Sequence, residues 1–192
     1  MQQTDFEHLP ASELPDPVLK RLYAYWASLR GPRSAPSRAQ IDPVDMPRDI
    51  LPDLLLTEVL RPAGGRRYRF RLVGSRVAEL AGRDPSRQYL DEVLPTAFGY
   101  RDYIVRLYDA IHDLRQPLYS RSRYITFDTS QAPERETHRL MLPLLDDPGE
   151  LTHVLAAQVF HINRGVTQKP FLAPDEVVYG DTRVVGPADP AL

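Results

Sequence analysis

The sequence predicts an α+β domain on an antiparallel sheet, and three observations carry that reading. Residues 54–73 hold two strand-like runs, Leu54–Leu60 and Arg67–Val73, around the loop Arg61-Pro62-Ala63-Gly64-Gly65-Arg66. The second run alternates strictly, with Tyr68, Phe70 and Leu72 on one face and Arg67, Arg69 and Arg71 on the other, which marks a β-hairpin. Tyr100–Leu114 carries one apolar stripe at helical spacing: Tyr100, Tyr103, Ile104, Leu107, Tyr108, Ile111 and Leu114. Three more strand-like runs then follow in succession between Leu118 and Ile162.

Taken in order, residues 1–14 read as a flexible N-terminal tail. Asp16-Pro17 caps and starts a helix over residues 16–30, in which Val18, Leu19, Leu22, Tyr25, Trp26 and Leu29 recur at helical spacing and Gly31-Pro32 is the stop. Asp42-Pro43 repeats the cap signal and opens a short helix that Pro52 ends. After the hairpin come a short helical piece over Gly74–Ala81 and a turn-rich stretch over Asp84–Pro95. Leu118–Phe127 alternates, whereas Arg139–Leu145 and Leu151–Ile162 are apolar on both faces and are joined by the turn Asp146-Asp147-Pro148-Gly149-Glu150. Residues 164–192 are Pro- and Asp-rich and read as an extended or disordered arm, leaving one domain over 15–163.

Composition narrows the chemistry. The 192 residues suffice for one domain with tails, and no cysteine is present. Disulfides, thiolate metal sites and cysteine nucleophiles are therefore excluded. The net charge of −2 does not call for nucleic acid, and no apolar run approaches the ~20 residues that span a bilayer. The N-terminus shows no signal-peptide pattern, so a cytoplasmic protein away from the membrane is expected.

The ordered set Tyr25-Trp26-Ala27-Ser28-Leu29-Arg30-Gly31, Ile41-Asp42-Pro43, Leu51-Pro52, Phe70-Arg71-Leu72-Val73-Gly74, Gly82-Arg83-Asp84 and Leu142-Pro143-Leu144 resembles the PAS domain. It is similar to a bacterial subfamily of small stand-alone PAS proteins, over about residues 14–163. The resemblance implies a five-stranded sheet of order 2-1-5-4-3, helices on one face and, here, an extra N-terminal helix. Its first and fifth strands, Leu54–Leu60 and Leu151–Ile162, would be central, as their lack of alternation suggests. Its second and third would be charged edges, carrying Arg67, Arg69, Arg71 and Arg121, Arg123. The 100–114 helix would lie across the sheet and close a pocket.

The expected pocket lining is Phe70, Leu72, Tyr103, Leu107, Tyr108, His112, Ser120, Ser122 and Tyr124. Two inward serines leave room and hydrogen-bonding capacity for a small ligand; the competing reading is a filled core with ordered water. Haem-binding PAS domains place an axial histidine on this helix, which makes His112 the haem candidate by analogy, although a flanking histidine beside Asp109 and Asp113 is favoured. The flavin–cysteine adduct is excluded, haem is not expected, and the cofactor stays unknown. His138 and His161, with Glu134 and Glu136, could approach one another as a zinc set, but solvated strand ends are the preferred reading. The arginines at 66, 67, 69 and 71 read as a solvated or salt-bridged edge.

No Gly-x-Ser-x-Gly elbow, phosphate-binding loop or His-Glu-x-x-His occurs, so no catalytic or metal residue is assigned. The expectation is a stand-alone sensory and signalling module that binds a small ligand or partner and acts in trans. Its partners would be a second copy, as a homodimer through Leu22, Trp26 and Leu29, and a signalling protein such as a sensor kinase; intramolecular packing of that helix is the alternative. The rival functions are a small cone-like isomerase or dehydratase, and a ligand-free interaction scaffold.

Overall fold

The computed structural model describes residues 6–125, 134–162 and 176–187. Its elements run β1 (Glu7–Pro10), α1 (Pro17–Arg30), β2 (Leu54–Leu60), β3 (Arg67–Val73), α2 (Ser75–Ala81), α3 (Leu90–Val93), α4 (Tyr100–Leu114), β4 (Leu118–Ile125), β5 (Glu134–Leu145), β6 (Leu151–Ile162) and β7 (Glu176–Gly186).

α1 forms where Asp16-Pro17 puts it. The Asp16 carboxylate accepts from the Val18 N–H at 2.7 Å, and Pro17 occupies a first-turn position whose N–H has no helical partner. The short helix expected from Asp42-Pro43 is instead a turn followed by 3-10 helix over Arg48–Asp53, with Pro52 inside it. Pro52 fits because these turns close through Ile50 N–H to Pro47 C=O and Leu54 N–H to Leu51 C=O, so neither bond uses an N–H at 52.

The strands form one sheet of order β1-β7-β4-β5-β6-β2-β3. The run β4-β5-β6-β2-β3 is the expected five in the expected succession, antiparallel throughout. Two further strands extend it: β7 pairs antiparallel with β4, and β1 pairs parallel with β7. β4 is therefore not an edge, residues 7–10 are not loose tail, and residues 176–186 are not a structureless arm. Arg121 and Arg123 alternate with the buried Ser120 and Ser122 and lie on the same side of the sheet as His138, where Arg121 pairs with Glu136 at 2.7 Å; their charge says nothing of which strand lies alongside. On the far side β3 is covered by residues 87–89: Phe70 N–H donates to Gln88 C=O, Arg87 N–H donates to Phe70 C=O, and Arg67 stacks on the Tyr89 ring at 3.7 Å.

Helices cover both faces, not one. Tyr108 of α4 meets Thr57 on β2, which sits opposite Val154 of β6, whereas Asp16 at the start of α1 meets His161 of the same strand. Positions 154 and 161 point to opposite sides of a strand, so α1 and α4 sandwich the sheet. α1 packs on β5 and β6, with Leu19 and Leu22 at 0% exposure and the Trp26 indole N–H donating to Pro143 C=O at 2.9 Å. Leu22 and Trp26 are consequently core, and Leu29 is half-buried. The reason lies in the β5 and β6 side chains facing α1: Leu140, Leu142, Leu155 and Ala157 are fully buried and need that cover.

Candidate functional site

A single cavity between the sheet and α2, α3 and α4 collects the candidate chemistry. β2 and β3 give it Leu55 and Phe70; β5 and β6 give it Arg139 and Gln158. Val77 and Ala81 of α2, Pro85, Val93 of α3, Leu94, and Tyr100, Ile104 and Tyr108 of α4 close it. The wall is thus apolar except at one end. Its volume is about 30 Å³, room for about two waters.

The polar end is built by strand register. Arg139 and Gln158 sit directly opposite each other on neighbouring strands, and Ser120 of β4 is the next residue in that row. All three are buried, Arg139 at 3% and Gln158 at 4% exposure. Arg139 Nη1 donates to Ser120 Oγ at 3.3 Å. Among the described residues Gln158 Nε2 has no hydrogen-bond partner, an arrangement that costs about 1–3 kcal/mol in a protein interior. Tyr108 shares a 2.8 Å hydrogen bond with Thr57 Oγ1. Burial raises the Tyr108 pKa; the Thr57 bond and the Arg139 charge pull the other way. Tyr108 thus stays a neutral phenol.

Of the residues expected to line a pocket, Phe70 and Tyr108 do so. Leu72 does not, because β3 carries a register shift: Phe70 pairs with Thr57 but Leu72 pairs with Leu56, so Arg71 is an extra residue. The shift turns Leu72 to the α1 side, in line with Leu56 and Leu155. Tyr103 instead packs on Tyr179 of β7, ring centroids 4.2 Å apart, and the Tyr179 hydroxyl donates to Phe98 C=O at 2.5 Å. Leu107 is core, and Ser122 is buried between Thr137 and Tyr179 on its two neighbouring strands. Tyr124 lies on β4 with its side chain outside the described residues. The space expected beside the two serines is therefore taken by a strand that sequence reading left out, and the cavity lies instead toward β2 and β3.

His112 is outside the cavity. Its ring nitrogens face Arg66, Arg61 at 3.4 Å and Asp113 at 3.1 Å, at the outer end of α4. The cavity has no room for a macrocycle and, among the described residues, no histidine in its wall, so a haem does not fit these residues. His138 and His161 do meet, edge to face at 4.9 Å, on the α1 side. The Tyr119 hydroxyl bonds His138 Nδ1 at 2.6 Å, and Asp16 and Glu136 lie 3.4 and 3.5 Å from His161 and His138. Among the described residues no group of three or more His, Asp and Glu is placed to hold a metal ion; Glu134 has its side chain outside them. The hairpin arginines are partnered: Arg67 with Asp91 and Glu92, Arg69 with Glu58, and Arg66 with Asp109 and Asp113.

Arg139 and Gln158 are the residues that sequence reading passed over. Gln158 is a lone polar side chain within Leu-Ala-Ala-Gln-Val-Phe, whereas Arg139 closes the polar stretch Glu-Thr-His-Arg before Leu-Met-Leu. A polar residue in a strand buried on both faces is the informative exception.

A helix-capped antiparallel sheet enclosing a partly polar cavity defines the class of small α+β domains whose interior can admit a ligand. Within that class the assignment is specific: a family model described as PAS domain matches residues 15–158, and the chain belongs to that family. The family is one of sensory and signalling modules, in general not enzymes. No curated protein matches the chain. Among the described residues no helix is long and apolar enough to cross a membrane.

Proposed function

We propose that this protein is a sensory module that takes a small ligand between α4 and the central strands and passes its signal to another protein in trans. The observation that carries this is the buried Arg139–Gln158 pair in the wall of an otherwise largely apolar cavity. Such a pair is an expensive way to fill a core and a suitable way to orient a guest. The present volume means that binding has to move α4 or α3 outward. That movement is the signal, provided the ligand prefers the opened state.

The strands offer a route for it. Arg139 and Gln158 alternate along β5 and β6 with Leu140 and Ala157, which pack toward α1 on the opposite face. A shift in these strands reaches α1 through the Trp26–Pro143 bond. A partner such as a sensor kinase, or a second copy, would read the outer surface of α1 or β7. Native mass spectrometry of the purified protein tests this by reporting retained ligand and copy number together. The expected result is an adduct that is lost when Ile104→Trp fills the cavity. A bare mass, with no stabilisation by any member of a metabolite panel, would refute it.

The small volume supports a second reading, an interaction scaffold with a closed core. The enzyme reading gains no such support: among the described residues the cavity wall holds no Asp or Glu to act as acid or base.

A further inference from the structure

Resting on that ligand reading, the structure assigns a ligand class: we propose that the cavity takes a small carboxylate with an apolar body, its carboxylate bound by Arg139 and Gln158. The polar end presents donors. A guanidinium carries five N–H groups in a planar fork and no acceptor. The bond from Nη1 to Ser120 Oγ fixes how that fork lies in the sheet. Directly across the β5–β6 ladder, Gln158 Nε2 is a buried donor with no partner among the described residues. Two donor groups held side by side on rigid central strands match the paired oxygens of a carboxylate, the group for which an arginine fork is geometrically suited.

The rest of the wall sets the body of the ligand. Phe70, Leu94, Ile104 and Val77 present hydrocarbon, and among the described residues the cavity wall carries no second cation and no carboxylate. A diacid or a phosphorylated sugar would bury charge or hydroxyls against these side chains with nothing to satisfy them. A monocarboxylate on a short aliphatic or aromatic body gives Gln158 Nε2 an acceptor and sets no other polar group against hydrocarbon. It also places its bulk against α4 and α3, the elements that have to move, while its head is anchored on β5 and β6.

The test titrates the full-length protein with hexanoate, hexanamide and hexanol, and repeats the series with the four-carbon homologues. The readout is two-dimensional NMR of the side-chain Gln158 Nε2 and Arg139 Nε signals and of the Phe70 and Ile104 amides. The expected result is saturable binding of the acid at least tenfold tighter than its amide or alcohol, with the Gln158 and Arg139 signals shifting together. A charge-assisted bond is worth roughly tenfold to a hundredfold, so Arg139→Met should weaken the acid by that factor and leave the alcohol unchanged. Because that variant removes a buried side chain on which folding can depend, Gln158→Leu provides the second arm, with a several-fold loss for the acid alone. If the alcohol binds the same residues as tightly as the acid, the carboxylate assignment falls and the ligand cavity stands. If neither acid, amide nor alcohol moves these signals, the assignment and the cavity reading fall together.

Discussion

Gly74→Ala should unfold this domain out of proportion to one methyl group. Gly74 has an ordinary backbone conformation, φ −64° and ψ 151°, so alanine meets no torsional penalty there. The obstacle is space. A Cβ at 74 would lie 2.3 Å from Pro52 O and 2.5 Å from Leu51 O. A relaxed C···O contact is about 3.3 Å or more, so the two backbones must separate by about 1 Å. Both are held: Gly74 N–H donates to Leu54 C=O at 2.7 Å. Overpacking of about 1–3 kcal/mol plus about 1 kcal/mol for the disturbed hydrogen bond gives roughly 2–4 kcal/mol. At about 2–4 °C per kcal/mol for a chain this size, thermal unfolding by circular dichroism should shift down by roughly 4–16 °C. Gly186→Ala is the control. Its Cβ would meet His8 Nε2, the far end of a side chain that can rotate away. That variant should stay within about 0.5 kcal/mol of the parent. Equal losses at 74 and 186, or no loss at 74, would refute the argument that fixed backbone contact sets the cost.

His138 and His153 both sit below the usual histidine value of 6.5, chiefly through burial; the folded state then binds fewer protons than the unfolded one, so their contribution is complete above about pH 6.5 and is lost as pH falls through the lowered values. Melting temperature should drop between about pH 7.5 and 5.5, less so in His138→Gln, and a rise toward acid would contradict this. Leu22→Ala should lose about 2–5 kcal/mol in urea unfolding whatever the protein concentration; a loss that grows on dilution would mean that Leu22 supports a dimer instead. Gly180→Ala brings a Cβ to 2.9 Å from Arg121 O, between β7 and β4, and should speed hydrogen exchange in β7 and β4 while leaving β2 protected; unchanged exchange in β4 would remove β7 as its partner.

Much of the framework was legible because local rules and packing agree. Asp16-Pro17, the 100–114 stripe and the hairpin each state their element within a few residues, and strands β2 and β6 betray double cover by their lack of alternation. β7 was missed for a compositional reason. Val177, Val178, Tyr179 and Val184, Val185 are strand formers, but the Pro and Asp around them outweighed two short apolar clusters. Only the docking of Tyr179 on Tyr103 and the ladder to β4 make that strand worthwhile. Leu72 was misplaced because one inserted residue, Arg71, reverses alternation, and nothing local in Phe-Arg-Leu-Val announces a register shift.

The site was less legible than the fold because it depends on register across three strands. Ser120, Arg139 and Gln158 are far apart in sequence, and only the β4–β5–β6 pairing sets them in one row. Burial of Ser120 is expected from the sequence, with room and hydrogen-bonding capacity for a ligand. In the structure that hydroxyl is an anchor, accepting from the guanidinium that the cavity presents. The same row explains why a signal could leave the cavity at all. Side chains alternate, so the residues between these three, Tyr119, Leu140 and Ala157, form the matching row beneath α1. A guest that pulls on Arg139 and Gln158 acts on two strands whose other face already holds the first helix, and no separate relay is needed to connect them.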